Sequence, residues 1–259
     1  MTEKLVNLNA DVGESFGRYT LGEDDTLIPQ VNSIHVACGY HAADPAVMRR
    51  SVIMARQHQV ELGAHISYPD LIGFGRRTMG LTEDEVCDIS IYQIGALLGF
   101  CRAEGVRLNH VKPHGQLYLT GVRDPATARG IVRALKEVDP ELILLMYGDV
   151  VAKACADAGI RLVQEGFVDL DYNADSSLKL EIKRGFREPA HLSEVALSLV
   201  QRQGRKAADG TWLHLPVRSI CIHGDNPNPT QNAKAVRKAL TDDGYRLVGL
   251  RELAGLPPL

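Results

Sequence analysis

Short apolar runs alternate along the chain with longer segments of helical spacing. LVNLNA (5–10), SIHVAC (33–38), ELGAH (61–65), NHVKPHG (109–115), LILLMYG (142–148), RLVQEGFVD (161–169), SICIHGD (219–225) and YRLVGL (245–250) read as strands. Several are rich in Val and Ile, as buried strands are. Between them, Thr82 with Glu85 three residues later marks a capped helix start. Val86, Ile89, Tyr92, Ile94, Leu97 and Phe100 are the expected buried stripe of that helix, which ends at Gly105. Asp44-Pro45 and Asp124-Pro125 each place a cap before a proline at the first helical position. Asp139-Pro140 marks a break between a helix and the next strand. Seven or eight βα units in one chain predict a parallel sheet covered by helices. The repeat runs through residues 1–259 without a linker or composition shift, so a single domain is expected. No GxGxxG follows the first strand, which favours a closed or nearly closed parallel (β/α) barrel of seven to eight strands over an open doubly wound sheet. The irregular stretches 66–81 and 168–190 are long enough to be lids or binding loops.

Composition narrows the function classes. The 259 residues are 45% hydrophobic and 24% charged, enough for a large core. The net charge of −3 leaves no basic surplus to neutralise phosphates, so neither nucleic acid nor an anionic membrane is an expected partner. The longest apolar run, LILLMYG, is far shorter than the roughly 20 residues of a spanning helix. MTEKLVNLNADVGES lacks the apolar core of a signal peptide. Five scattered cysteines without a CxxC read as reduced thiols. A cytoplasmic protein is therefore expected.

Candidate chemistry sits where the strands end. Asp11 and Glu14 follow the first run, Cys38 and His41 the second, and His65 closes the third. Lys112 and His114 close the fourth, Glu165 and Asp169 lie on or after the sixth, and His223 and Asp225 close the seventh. In a βα barrel these ends share the rim that carries active sites. A lone histidine at a strand end is usually a hydrogen-bonding residue, but four on one rim point to a functional cluster. Asp11 could otherwise form an Asx turn. Lys112 interrupts an apolar strand, so it must be paired or emerge at the site. Cys38 beside His41 could be a nucleophile, although a buried cysteine is more often apolar filler. His41, His65 and His114 could hold a divalent metal with an open position for water, though no HxxxH spacing supports it. GFGRRTMG (73–80) could grip an anion with its two arginines, or simply expose them; there is no GxxxxGK[ST].

NADVGESFG, ACGYHAADP, GAHISYPDLIGFGRR, YQIGAL, VKPHGQLY and CIHGDNP occur in this order over about residues 5–245. Together they resemble the LamB/YcsF family, the A component of bacterial 5-oxoprolinase. The resemblance implies a distorted βα barrel of the glycoside hydrolase/deacetylase kind. It also implies ATP-dependent opening of the lactam 5-oxo-L-proline to L-glutamate, with B and C subunits that resemble parts of biotin-dependent carboxylases. The matching polar residues are Asp11, Glu14, His41, Asp44, His65, Asp70, Lys112, His114, Tyr118, His223 and Asp225. Among them Asp11, Glu14, Lys112 and His114 are the catalytic candidates, and the others are candidates for binding substrate.

The chain departs from the family pattern at four places. Ala43 replaces the glycine of HAGDP, Ile66 a proline, and Leu170 and Glu181 two arginines. The last two predict weaker use of 5-oxoproline, with Arg184 and Arg187 as the nearby cations for the role. Opening a lactam needs an activated water, a proton for the leaving nitrogen and stabilisation of the oxyanion. Asp11 or a rim histidine could be the base, a second histidine the acid, and Lys112 the stabilising charge. Two other readings stay open: a metal-dependent deacetylase or amidase acting without ATP, and a non-catalytic component that binds a small molecule. A homo-oligomer is also left open.

Overall fold

The computed structural model describes residues 3–179 and 185–257, so Glu181 and Arg184 lie outside the described residues. Eight strands form the central sheet: β1 (Leu5–Val12), β2 (Ser33–Ala37), β3 (Glu61–Ile66), β4 (Leu108–Pro113), β5 (Ile143–Leu145), β6 (Arg161–Val163), β7 (Glu165–Phe167) and β8 (Ser219–His223). All pair in parallel, in the order β6-β5-β4-β3-β2-β1-β8-β7. The two edges are consecutive in the chain. One segment pairs with β5 up to Val163, passes through Gln164 and then pairs with β8 from Glu165. That change of partner nearly closes the sheet into a barrel, as the βα alternation implies.

The run at 245–250 does not become a full strand. Only Arg246 and Leu247 pair, beside the start of β1, and Leu250–Leu253 turns into a helix. Leu250 and Leu253 pack with Ile143, Leu145 and Val163 in a second apolar cluster. The Glu61 carboxylate accepts the Leu250 and Arg251 N–H groups at 2.5 and 3.2 Å and caps that turn. Burial of two leucines and a satisfied helix start outweigh the strand pattern here.

The barrel interior is polar. Asn7, Asn9 and Asp11 recur with the period of two that places residues on one face of a strand. So do Ser33 and His35 on β2, His110 and Lys112 on β4, and Ser219, Cys221 and His223 on β8, all buried. Hydrogen bonds join these positions across strands: Asn7 Nδ2 to Ser33 Oγ at 2.8 Å, Asn9 Nδ2 to Ser219 Oγ at 2.7 Å, and Ser219 Oγ to Asn7 Oδ1 at 2.7 Å. His35 Nε2 meets Asn9 Oδ1 at 3.0 Å, and His110 Nε2 meets His35 Nδ1 at 2.8 Å. The apolar positions between them, such as Val6, Leu8 and Ala10, belong to the main core under the helices.

The helices begin where the sequence places their caps. Asp44 accepts from the Ala46 and Val47 N–H groups at the start of α1 (Pro45–His58). Thr82 and Glu85 form a reciprocal capping box on α2 (Glu83–Glu104), which ends at Gly105 in a left-handed conformation. The expected stripe is wrong at Tyr92, which is exposed and stacks on Tyr40 with ring centroids 5.2 Å apart. Gln93 points inward instead. Its amide accepts from Ser67 N at 2.8 Å and donates to Ser67 O at 2.9 Å, which ties the loop after β3 to α2. Helix α2 is by length and composition apolar enough to cross a membrane; here it lays Val86, Ile94 and Leu97 into the apolar core between the sheet and the helices.

Gly63 gives His110 its space, because a Cβ there would overlap the imidazole. We expect Gly63→Ala to lower stability by about 1–3 kcal/mol through overpacking. Chemical denaturation of both proteins checks this, and an unchanged midpoint would show that the His35–His110 pair is not tightly held.

Candidate active site

Strand register assembles the site. The β1–β8 ladder sets Asp11 beside His223, and the β3–β4 ladder sets His65 beside Lys112. Lys112 Nζ donates to Asp11 Oδ1 at 2.8 Å, and lies 3.2 Å from Glu165 Oε2 and 3.0 Å from Cys221 Sγ. Burial alone would strip the proton from this ammonium, but Asp11, Cys221 and Glu165 around it hold its pKa well above the usual lysine range. Burial likewise works against the Asp11 charge, yet His65, Lys112 and His223 hold that carboxyl well below its usual range. Glu165 is pushed up to about 7 by burial, which Lys112 offsets only in part. Asp11 Oδ2 also lies 3.4 Å from His65 Nε2 and 3.6 Å from His223 Nε2.

A second cluster adjoins the first. Glu14, His41, His65 and His114 each bring one potential ligand atom, all within 4.8 Å of one another. The backbone fixes two tautomers, since a carbonyl oxygen only accepts. His114 Nε2 donates to Phe74 O at 2.9 Å, so Nδ1 carries the lone pair. His65 Nδ1 donates to Lys112 O at 2.9 Å, which in the neutral ring leaves the lone pair on Nε2. These two acceptor nitrogens face each other at 3.1 Å, with Glu14 Oε1 3.6 Å from His114 Nδ1. His41 stacks flat on His114 at 3.9 Å between centroids and reaches Glu14 Oε1 at 3.3 Å. His41 Nδ1 is buried with no hydrogen-bond partner among the described residues. Burial and the neighbouring imidazoles hold His41 and His114 well below the usual histidine range, so both are neutral. Converging lone pairs beside a carboxylate are the donor set of a divalent cation. Asp11, Cys221 and His223 are also mutually close, but the Lys112 ammonium touches both Asp11 and Cys221 and already supplies the positive charge there.

One cavity on the rim is lined by Asp11, His65, Lys112, His114, Tyr118 and His223. Glu14 and His41 adjoin it through His114. Asp44 and Asp70 do not line it. Asp44 holds the start of α1 and the Gly17 N–H at 2.7 Å. Asp70 accepts from Gly73 N at 2.9 Å and from Arg77 Nε at 2.8 Å, which shapes the loop after β3. Asp225 pairs with Arg76 at 2.8 Å. Arg187 lies 3.3 Å from Asp171, while Leu170 is buried in the cavity wall. Cys38 is filler, its thiol pushed up to about 12 by burial.

Three further groups matter. Glu165 counters Lys112 from below. Asp169 accepts from His223 Nδ1 and from its backbone N–H, both at 2.8 Å, and so directs His223 Nε2 towards Asp11. Arg76 lines the cavity mouth. Position at a strand end marks Glu165 and Asp169 in the sequence; only the folded loop brings Arg76 to the mouth.

The architecture is that of a nearly closed βα barrel with an ionisable cluster on its C-terminal rim. More particularly, the chain belongs to the LamB/YcsF family, whose profile matches residues 6–255. It is 42% identical over 253 residues to the 5-oxoprolinase A component of Pyrococcus abyssi, covering 96% of this chain and 99% of that one. It is 43% identical over 253 residues to the protein of the same name from Methylococcus capsulatus, covering 95% and 96%. The crystal structure of lactam utilization protein from Thermus thermophilus superposes with a TM-score of 0.86 at 40% identity, covering 95% of this chain and 99% of that one.

Removing the Lys112 charge leaves Asp11 and Glu165 facing each other in the interior. Lys112→Met is expected to cost about 3–5 kcal/mol of stability, as for other broken buried pairs. Adding Glu165→Gln removes one of the two opposed carboxylates and is expected to recover part of the loss, which unfolding titrations of the single and double variants measure.

Proposed function

We propose that this chain is the lactam-handling A component of a cytoplasmic, ATP-dependent 5-oxoprolinase, converting 5-oxo-L-proline to L-glutamate together with B and C subunits. The observation that carries the reading is the cavity itself. It joins an ionised Asp11, a buried ammonium and an imidazole oriented by a carboxylate, next to a cluster of imidazole nitrogens. The names of the relatives agree with it.

In this reading the γ-phosphoryl group of ATP moves to the lactam carbonyl oxygen. Water then adds to the carbonyl carbon, the ring C–N bond breaks as the nitrogen takes a proton, and a second water hydrolyses the acyl phosphate so formed, releasing phosphate. His223, with Nδ1 held by Asp169, has Nε2 placed to accept the proton of the attacking water, as in other carboxylate-oriented imidazoles. Lys112 offsets negative charge developing on the carbonyl oxygen. Asp11 holds Lys112 and faces both His65 and His223. His114 is a poor proton donor, because its N–H is committed to Phe74 O; its role is to present Nδ1 to the Glu14 cluster. No phosphate-binding GxxxxGK[ST] loop occurs in the sequence, so the partners complete the nucleotide site.

Glu14, His41, His65 and His114 fit a divalent cation by the chemistry of their donors, and such an ion polarises a carbonyl oxygen when bound. The same cluster supports the alternative, an amidase or deacetylase that needs no ATP. An assay of the reconstituted complex on a lactam panel with and without ATP separates the two.

In that complex, Asp11→Asn, which loosens Lys112, and His114→Gln, which removes a donor from the Glu14 cluster, are each expected to lower turnover by at least roughly 10²-fold, with a double variant less than additive. Near-wild-type turnover per folded molecule in either variant would remove that residue from the mechanism. Independently of activity, the chain purified with added Zn²⁺ or Co²⁺ is expected to keep about one ion per molecule after dialysis, and to melt at a lower temperature once chelated. His65→Ala with His114→Ala should abolish retention. Equal metal content in wild type and double variant would remove the cation from the scheme.

A further inference from the structure

We propose that Arg76 takes the carboxylate of the substrate, and that Asp225 is an internal carboxylate which the substrate displaces. The inference rests on the lactam reading above and assigns the end of the molecule that the lactam chemistry leaves open. A substrate carboxylate needs a cation at the cavity, and among the described residues the lysine and arginine side chains that line it are Lys112 and Arg76. Lys112 sits between the Asp11 and Glu165 carboxylates, at 2.8 and 3.2 Å. An anion approaching it meets two buried acids, one of them held ionised. Arg76 stands apart from that pair at the mouth, with its Cζ 5.0 Å from the centroid of the Phe74 ring.

The pairing of Arg76 with Asp225, Nη2 to Oδ2 at 2.8 Å, shows that a carboxylate fits against this guanidinium. Both side chains are mostly shielded from solvent, at 16% and 9% exposure, so the contact is stronger than a rim ion pair. Asp225 follows β8, in the CIHGD segment whose histidine faces Asp11, so exchange of its carboxylate for that of the substrate links arrival of ligand to the His223 strand end. The cavity wall made by Phe167, Leu170 and Leu178 offers apolar surface for the ring methylenes. Leu170 occupies one of the positions where relatives were expected to carry arginine. In this chain Arg76, on the loop after β3, supplies the charge.

Calorimetric titration of the full chain with three probes tests the assignment: L-5-oxoproline, its uncharged analogue 2-pyrrolidinone, and L-glutamate. Arg76→Gln is expected to weaken 5-oxoproline at least about tenfold, as for loss of a charge-assisted hydrogen bond. It should leave 2-pyrrolidinone unchanged, and Arg76→Lys should recover part of the loss. Asp225→Asn, which removes the competing charge, should tighten 5-oxoproline binding. Thermal unfolding of each variant confirms that it is folded. Unaltered 5-oxoproline and glutamate affinity in Arg76→Gln overturns the assignment. If the wild type binds glutamate through Arg76 but neither lactam, the carboxylate assignment stands and the lactam reading falls. Binding of no probe by the wild type overturns both.

Discussion

A single buried ammonium organises this molecule. Lys112 is fully enclosed, and an isolated charge at that depth is untenable. Its partners come from three different strands: Asp11 on β1, Glu165 on β7 and Cys221 on β8. The ion pair therefore binds opposite walls of the barrel to one another. It also decides the protonation states around it. Asp11 stays ionised, and Glu165 is poised near neutrality. Buried ion pairs contribute little net stability over apolar packing, so the retained charges point to chemistry.

The two clusters share His65. Its Nε2 faces Asp11 on one side and His114 on the other, while Nδ1 is pinned to the backbone of Lys112. Any change in charge on either side is felt through that ring. The cation-type cluster and the Lys112 pair are thus one electrostatic unit, with Phe74 closing it from the loop above through the carbonyl that fixes His114.

Much of this was legible in the chain. Strand ends at Asp11, His41, His65, Lys112 and His223 pointed to one rim, and the barrel brings them there. The caps at Thr82, Asp44 and Asp124 are local devices, so local sequence suffices to find them. Asp44 and Asp70 share motifs with site residues; Asp44 caps α1, as its place before Pro45 predicts, whereas only hydrogen bonding shows Asp70 shaping the loop after β3. Tyr92 was misplaced because helical spacing alone does not say that Gln93 has an amide-sized partner in Ser67. The polar lumen was the larger omission. Asn7, Asn9, His35 and His110 stand two residues apart behind the rim groups, a period-two signal obscured because their neighbours on the outer face are so strongly apolar.

That lumen also guards the pairing of the strands. A slip of one residue turns a strand inside out. In an all-apolar strand buried on both faces such a slip exchanges one hydrocarbon for another and is weakly opposed. Here, moving β4 by one position would send the Lys112 ammonium into the hydrocarbon beneath the helices and bring Val111 against two carboxylates. Each polar residue in the interior acts as a registration mark, so the groups that make the site reactive also make misaligned barrels costly during folding.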